Sequence, residues 1–186
     1  MTGRALAAAA ALLLLFVAPV QAQDEEEDDT FYRTHFYAGL GGAFLLENAG
    51  NDLARQSGLS SIGNAGALNG RAGIRFAKYA SFELQGEGFW GFSDNNGMIF
   101  TANVKIYGLT GRLQPFAVGG AGLMTYFPKN SALDAQTGGG FRAGLGVDYN
   151  FTEHIGIEVL AEYVLGTGQA QDLQYAAFGA GLLYNF

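Results

Sequence analysis

The side chains that could carry out catalysis or hold a metal are few in type. The chain has two His and no Cys, which excludes disulfides, thiolate metal sites and Cys nucleophiles. The two histidines are His35 and His154, and the sequence around the second, Glu153-His154-Ile155-Gly156, contains no Ser that a histidine could activate. We therefore expect no catalytic residue, no metal ligand and no cofactor.

A larger set of charged side chains is interspersed, mostly at alternate positions, in apolar segments. Glu83 with Glu87, and Glu158 with Glu162, are carboxylate pairs of the kind that general acid–base catalysis uses. Four bases lie at comparable positions in the same segments, so ion pairing explains these carboxylates better than catalysis does. The predicted charge network consists of Arg71, Arg75, Glu83, Glu87, Lys105, Arg142, Asp148, Glu158 and Glu162.

The segments that carry these charges alternate between apolar and polar residues, which indicates strands with two different faces. The clearest segment lies between Phe141 and Phe151, where every second residue is apolar or aromatic. The next one, 155–165, places Glu158 and Glu162 at a helical spacing, but a helix would scatter its apolar residues around the cylinder. Eight strands are predicted, at 35–46, 66–76, 81–92, 98–108, 113–127, 139–151, 155–165 and 173–186.

The composition agrees with a sheet whose apolar face points away from an interior. Gly, with 29 of 186 residues, is about twice as frequent as its usual ~7% share and is a poor helix former. Charged residues make up only 15% of the chain, well below the ~25% of soluble proteins, and 15 Phe are hard to bury in so small a core.

The N-terminal region has the pattern of a secretory signal. Arg4 precedes an apolar stretch, Ala5 to Val17, and Val20-Gln21-Ala22 provides a small-residue cleavage site. We expect residues 1–22 to be a signal peptide and residues 23–34 to be an acidic periplasmic tail. The run at 24–29 accounts for most of the net charge of −7, and no basic patch suggests binding to nucleic acid.

No later stretch approaches the ~18–20 apolar residues of a transmembrane helix. A membrane-spanning chain of this kind must be a closed barrel, because lipid offers no partner to unpaired backbone groups. The predicted connections 77–80, 109–112 and 152–154 are short. Of the four predicted connections at the other end, 47–65, 128–138 and 166–172 are clearly longer, and the fourth is 93–97. Outer-membrane barrels have short periplasmic turns and longer external loops, so both termini are expected in the periplasm.

In such a barrel the apolar face meets lipid and the polar face meets the interior. The predicted outward set of the least regular segment, 113–127, is Phe116, Val118, Met124 and Tyr126. Aromatic residues concentrate near both ends of the segments, as expected of two interfacial belts. The alternative with the faces reversed is a soluble, lipocalin-like barrel.

The C-terminus provides the most specific motif. Residues Phe178, Ala180, Leu182, Tyr184 and Phe186 alternate up to a terminal Phe, which resembles the signal by which the outer-membrane assembly machinery recognises its clients. The stretch that begins Pro115-Phe116 resembles a strand opening common among such proteins. Over residues 35–186 the chain is similar to small eight-stranded outer-membrane barrels of the OmpA transmembrane-domain, OmpX and opacity-protein type. The resemblance implies an all-β, closed, antiparallel up-and-down transmembrane barrel.

The resemblance also implies a function. We expect an integral protein of the bacterial outer membrane with a structural or surface-interaction role and an interior plugged by charged side chains. Its expected partners are outer-membrane lipids, lipopolysaccharide, the assembly machinery and an extracellular partner at loop 47–65. A narrow, porin-like channel is the first alternative. A lipid-modifying enzyme is the second, and it is disfavoured because neither histidine lies toward the outer end of a strand.

Overall fold

The computed structural model describes residues 34–47, 64–92, 95–128, 135–171 and 173–186. The predicted signal peptide 1–22, nearly all of the tail 23–34 and most of loop 47–65 lie outside these residues. In the described part of the chain, no helix has the length and hydropathy that a membrane span requires.

The alternating segments form eight strands, each paired antiparallel with its neighbours in sequence. The last strand also pairs with the first, from Tyr37↔Asn185 to Glu47↔Tyr175, so the sheet closes. The predicted closed, eight-stranded up-and-down barrel is therefore confirmed. The strands are β1 (His35–Glu47), β2 (Asn64–Ala77), β3 (Ala80–Phe92), β4 (Asn95–Tyr107), β5 (Leu113–Pro128), β6 (Gln136–Asn150), β7 (Ile155–Gly168) and β8 (Gln174–Asn185).

The strand bounds change the predicted pattern of connections. At the end of the barrel that holds residues 35 and 185, the strands are joined by 78–79, 108–112 and 151–154. At the other end the connections are 48–63, 93–94, 129–135 and 169–173. The predicted connection 93–97 contracts because β4 begins at Asn95, which pairs with Phe92. The difference in length between the two ends thus depends mainly on 48–63 and 129–135.

The two faces of the sheet separate as predicted on seven strands. Large apolar side chains cover the outside, including Leu40 (75% exposed) on β1 and Leu182 (65%) on β8. Every ionisable residue of the predicted network is buried on the other face. An apolar exterior around a polar interior is the arrangement of a membrane barrel, not of a soluble one.

The predicted outward set of β5 is wrong. Phe116, Val118 and Met124 are buried in the interior, at 4%, 6% and 0% exposure, and Tyr126 is half-buried beside them. Ala117 pairs with Ile106 on β4 and with Leu145 on β6, and directly paired residues lie on the same face of a sheet. The middle of the outer face of β5 is therefore formed by small residues, from Ala117 to Ala121, while Phe116, Val118 and Met124 fill the interior. Large side chains are exposed only toward the ends of this strand, at Leu113, Leu123 and Phe127.

Candidate functional site

The candidate site is the interior of the barrel, where nine ionisable side chains approach one another from five strands. All nine are at least nine-tenths buried. Strand alternation brings them there, because each lies at an inward position of β2, β3, β4, β6 or β7, and an eight-stranded barrel is just wide enough for side chains to fill it. Their contacts divide them into three groups.

The central group is organised around Lys105. Its Nζ lies 3.1 Å from Glu83 Oε2 and also pairs with Glu158, which in turn pairs with Arg71. Glu83 accepts two further hydrogen bonds, from Tyr37 Oη at 3.1 Å and from Asn103 Nδ2 at 3.3 Å. Two cations therefore form ion pairs with two carboxylates in a buried place, where an unpaired charge would be very costly.

The second group lies toward the end of the barrel with the longer connections. Arg142 Nη1 donates to both carboxylate oxygens of Glu162, at 3.0 and 3.2 Å, and Arg142 Nη2 lies 3.9 Å from Glu87 Oε2. Tyr175 Oη donates to Glu87 Oε1 at 2.8 Å. One arginine thus bridges carboxylates of β3 and β7 across the interior.

The third group lies toward the end of the barrel that holds residues 35 and 185. The Arg75 guanidinium stacks over the Tyr107 ring, with its Cζ 4.0 Å from the ring centroid, and donates to Gln114 and to the Lys78 carbonyl oxygen. Tyr107 Oη donates to Asp148 Oδ2 at 3.4 Å. Here the cation is held mainly by an aromatic face and amide oxygens, and the carboxylate by a phenol.

An apolar cluster that sequence reasoning missed lies beyond the second group. Two of its members, Ala170 and Leu173, come from the connection between β7 and β8. Gly166 N–H donates to the Leu173 carbonyl and Leu173 N–H to the Ala170 carbonyl, at 2.9 and 3.0 Å, so this connection is folded onto the cluster. The cluster consists of Leu45, Ala65, Ala67, Phe89, Ile99, Met124, Val164, Ala170, Leu173, Tyr175 and Ala177.

The inward positions at the outer ends of the strands could have revealed this cluster. Phe89, Ile99 and Val164 continue the alternation of Glu87, Asn103 and Glu162 on the same strands, but they are apolar. The change from polar to apolar on the inner face is the signal that was available in the sequence.

The two histidines lie at the end of the barrel where β1 begins and β8 ends. His35 is half-buried at the start of β1, and His154 is exposed in the turn 151–154. The Nδ1 atom of His154 is 2.9 Å from the Asn185 carbonyl oxygen, and its ring stacks on Tyr184. Among the described residues, no cluster of three or more His, Asp or Glu side chains is placed to hold a metal.

The C-terminal motif lies on the outer surface of β8. Phe178, Leu182, Tyr184 and Phe186 are 54%, 65%, 48% and 70% exposed. Phe186 N–H donates to the Phe36 carbonyl at 2.9 Å, so the last residue still pairs with β1 and completes the closure.

Comparison with known proteins agrees with this architecture. A family model described as "outer membrane protein beta-barrel domain" matches residues 8–186. Among curated proteins no relative matches by sequence.

Several solved structures share the fold at low sequence identity. The N-terminal β-barrel domain of Pseudomonas aeruginosa OprF is 16% identical, with a TM-score of 0.60 over 83% of this chain and 100% of that one. Neisserial surface protein A is 14% identical, with a TM-score of 0.67 over 81% and 97%. P. aeruginosa OprG is 17% identical, with a TM-score of 0.56 over 86% and 99%.

Proposed function

The chain belongs to the family of outer membrane protein β-barrel domains, and on that basis we propose that it is a non-conducting barrel with a structural or surface-interaction role. Membership makes it an integral protein of the bacterial outer membrane, in contact with its lipids and lipopolysaccharide. The finer role depends on what its interior and its loops do.

The observation that carries the proposal is the packing of the interior. Lys105, Glu83 and Glu158 are each 1% exposed and occupy the middle of the barrel, where a pore would need water. The apolar cluster lies between them and the end with the longer connections. Moving an ion past both would require separating buried ion pairs, which costs several kcal/mol, and wetting an apolar layer.

The proposed orientation places the chain termini and the turns 78–79, 108–112 and 151–154 in the periplasm. The connections 48–63 and 129–135 then project outside the cell, as the longer loops of this class of barrel do. We propose loop 48–63 as the surface available to an extracellular partner. The alternating residues from Phe178 to Phe186 are proposed to be the signal for the assembly machinery.

A narrow channel is the second candidate function, and the polar interior favours it. Four bases and five acids line the inner face, and Arg142 holds carboxylates from two strands, as a gate would. We do not propose an enzyme, because His35 and His154 lie at the end of the barrel opposite the predicted external loops.

Planar-bilayer recordings distinguish the two functions. We expect folded wild-type protein to show no conductance above that of the protein-free bilayer. Single-channel events in the wild type that disappear or change size in Arg142→Ala, but not in Arg112→Ala in the exposed turn 108–112, would support the gated channel and refute the sealed barrel.

A further inference from the structure

The lipid-facing side of the barrel is not uniformly convex. A groove of about 510 Å³ crosses the outer face of β4 to β8, and its lining is almost entirely apolar. A volume of this size falls within the range of small-molecule sites, about 300–1,000 Å³. It is therefore large enough to hold a stretch of hydrocarbon chain.

The strand register explains why a groove forms here. One row of directly paired residues runs Ile106, Ala117, Leu145, Ala161 and Phe178, from β4 to β8. Ile106, Leu145 and Phe178 project from the surface, at 54%, 37% and 54% exposure, whereas the two alanines between them leave depressions. Across five strands about 4.8 Å apart the row extends roughly 19 Å.

Basic residues lie at the end of this groove that is nearest to the start of β1 and the end of β8. Gly108 and Pro115 line the groove, and Gly108 N–H donates to the Pro115 carbonyl at 2.8 Å. The turn 108–112 between them carries Arg112, which is exposed. The neighbouring turn carries Lys78 and is joined to Tyr107, another lining residue, by the Tyr107 N–H to Tyr79 carbonyl bond.

We propose that this groove is a binding site for an anionic glycerophospholipid, with one acyl chain across Ala117, Leu145 and Ala161 and the phosphate beside Arg112. The groove lies on the face of the barrel that meets hydrocarbon, and its lining is almost entirely apolar, whereas a sugar ligand would need several hydrogen-bonding groups. The bases at one end provide the charge that complements a phosphate and places the headgroup at that interface.

The position of Arg112 favours a phospholipid over the other components of the membrane. In the orientation proposed above, Arg112 lies at the periplasmic leaflet, which phospholipid occupies. One basic residue near an anionic headgroup is worth about a fivefold preference over a zwitterionic one. Occupation of the groove by a second copy of the chain is a separate outcome, which the measurement below distinguishes from lipid binding.

Native mass spectrometry of the full chain, refolded in detergent with equimolar phosphatidylglycerol and phosphatidylcholine, tests the site. We expect one retained lipid, with about a fivefold preference for phosphatidylglycerol. The double variant Ala117→Phe/Ala161→Phe should lower retention at least tenfold by filling the groove. Arg112→Gln should leave retention in place and abolish the headgroup preference.

The matched control is Ala72→Phe/Ala102→Phe. These two exposed alanines flank Leu84 in the same small–large–small row on β2 to β4, outside the groove, and their replacement should leave retention unchanged. Equal retention in both double variants, equal binding of the two phospholipids by the wild type, or a dimer in place of a lipid adduct would each overturn the proposal. So would preferential retention of lipid A.

A second measurement uses only the wild-type protein, so it does not depend on whether a variant folds. Phosphatidylglycerol with a photoreactive acyl chain should label wild-type peptides from β5 to β7 more strongly than peptides from β2 and β3. Uniform labelling around the barrel would refute a defined site. Both measurements are made in detergent, so they depend neither on the orientation in the outer membrane nor on whether the interior conducts.

Discussion

Replacement of Lys105 by Met tests the central ion group most directly. Lys105 is 1% exposed and contacts Glu83 and Glu158 at once, and its Nζ also lies 4.5 Å from the centroid of the Phe116 ring. Met keeps most of the aliphatic packing and removes only the charge. Glu158 retains its ion pair with Arg71. Glu83 loses its ion pair with Lys105 and retains the hydrogen bonds from Tyr37 and Asn103.

The expected loss of stability follows from the carboxylate that is left behind. Removing one partner of a buried ion pair costs about 3–5 kcal/mol, because the other charge remains desolvated. We expect Lys105→Met to lower the free energy of unfolding by about that amount. Neutralising the carboxylate that has lost its partner should recover part of the loss. The double variant Glu83→Gln/Lys105→Met should therefore lose about 2 kcal/mol less free energy of unfolding than the losses of the two single variants add up to.

The assay is a urea titration of each variant folded in lipid vesicles, followed by the gel mobility of unboiled samples. Arg112→Met in zwitterionic phosphatidylcholine vesicles, which offer its side chain no anionic headgroup, is the control, because a base in an exposed turn should change stability by no more than about 0.5 kcal/mol. A loss of less than about 1 kcal/mol in Lys105→Met would contradict a costly unpaired carboxylate at Glu83. So would a double variant whose loss of stability equals the sum of the two single losses within about 0.5 kcal/mol.

The remaining predictions concern packing, lipid contact and assembly. Gly122→Ala places a Cβ against the β4 backbone and should cost about 1–3 kcal/mol, whereas Gly119→Ala, which meets nothing within 4 Å, should be neutral; urea titration compares them. Leu40→Arg, at the middle of β1, should cost about 2–4 kcal/mol, and Ile155→Arg at the end of β7 about 0–1, by the same titration. Deletion of Phe186 should reduce folded protein in cell membranes while refolding of purified protein persists, as heat-modifiable bands would show.

The regular alternation explains why most of the fold was predictable. On β6 and β7, every second residue is apolar over a length that crosses a bilayer, and a slip of one residue would expose Glu158 and Glu162 to lipid. Such a sequence has one acceptable arrangement, so the strands and the identity of the interior face followed from it. The pairing of individual bases with individual acids could not be predicted from the sequence. It depends on the stagger between neighbouring strands, which the sequence of a single strand does not indicate.

The error on β5 has a physical cause. Its outward positions hold Ala117, Gly119 and Ala121, and its inward positions hold Phe116, Val118 and Met124, so both faces are apolar and hydropathy does not separate them. The bulky inward residues pack against aromatic and aliphatic neighbours, as when Phe116 contacts Tyr107 with ring centroids 5.8 Å apart. The inner face of a membrane barrel is usually polar, but parts of this interior are apolar. A prediction that places apolar residues on the outside therefore assigns the inward side chains of such a strand to the outer face.

The interior charges contribute more to the register of the barrel than to its stability. A buried ion network stabilises little relative to well-packed apolar residues, because desolvation offsets the attraction. A one-residue slip of β2, however, would turn both Arg71 and Arg75 toward lipid. Each arginine would then cost about 2–4 kcal/mol at the bilayer midplane, and less near an interface. The native register avoids this cost on every strand that carries such a residue. Since β1, β5 and β8 carry no network residue, their register depends on packing and on closure of the hydrogen-bonded sheet.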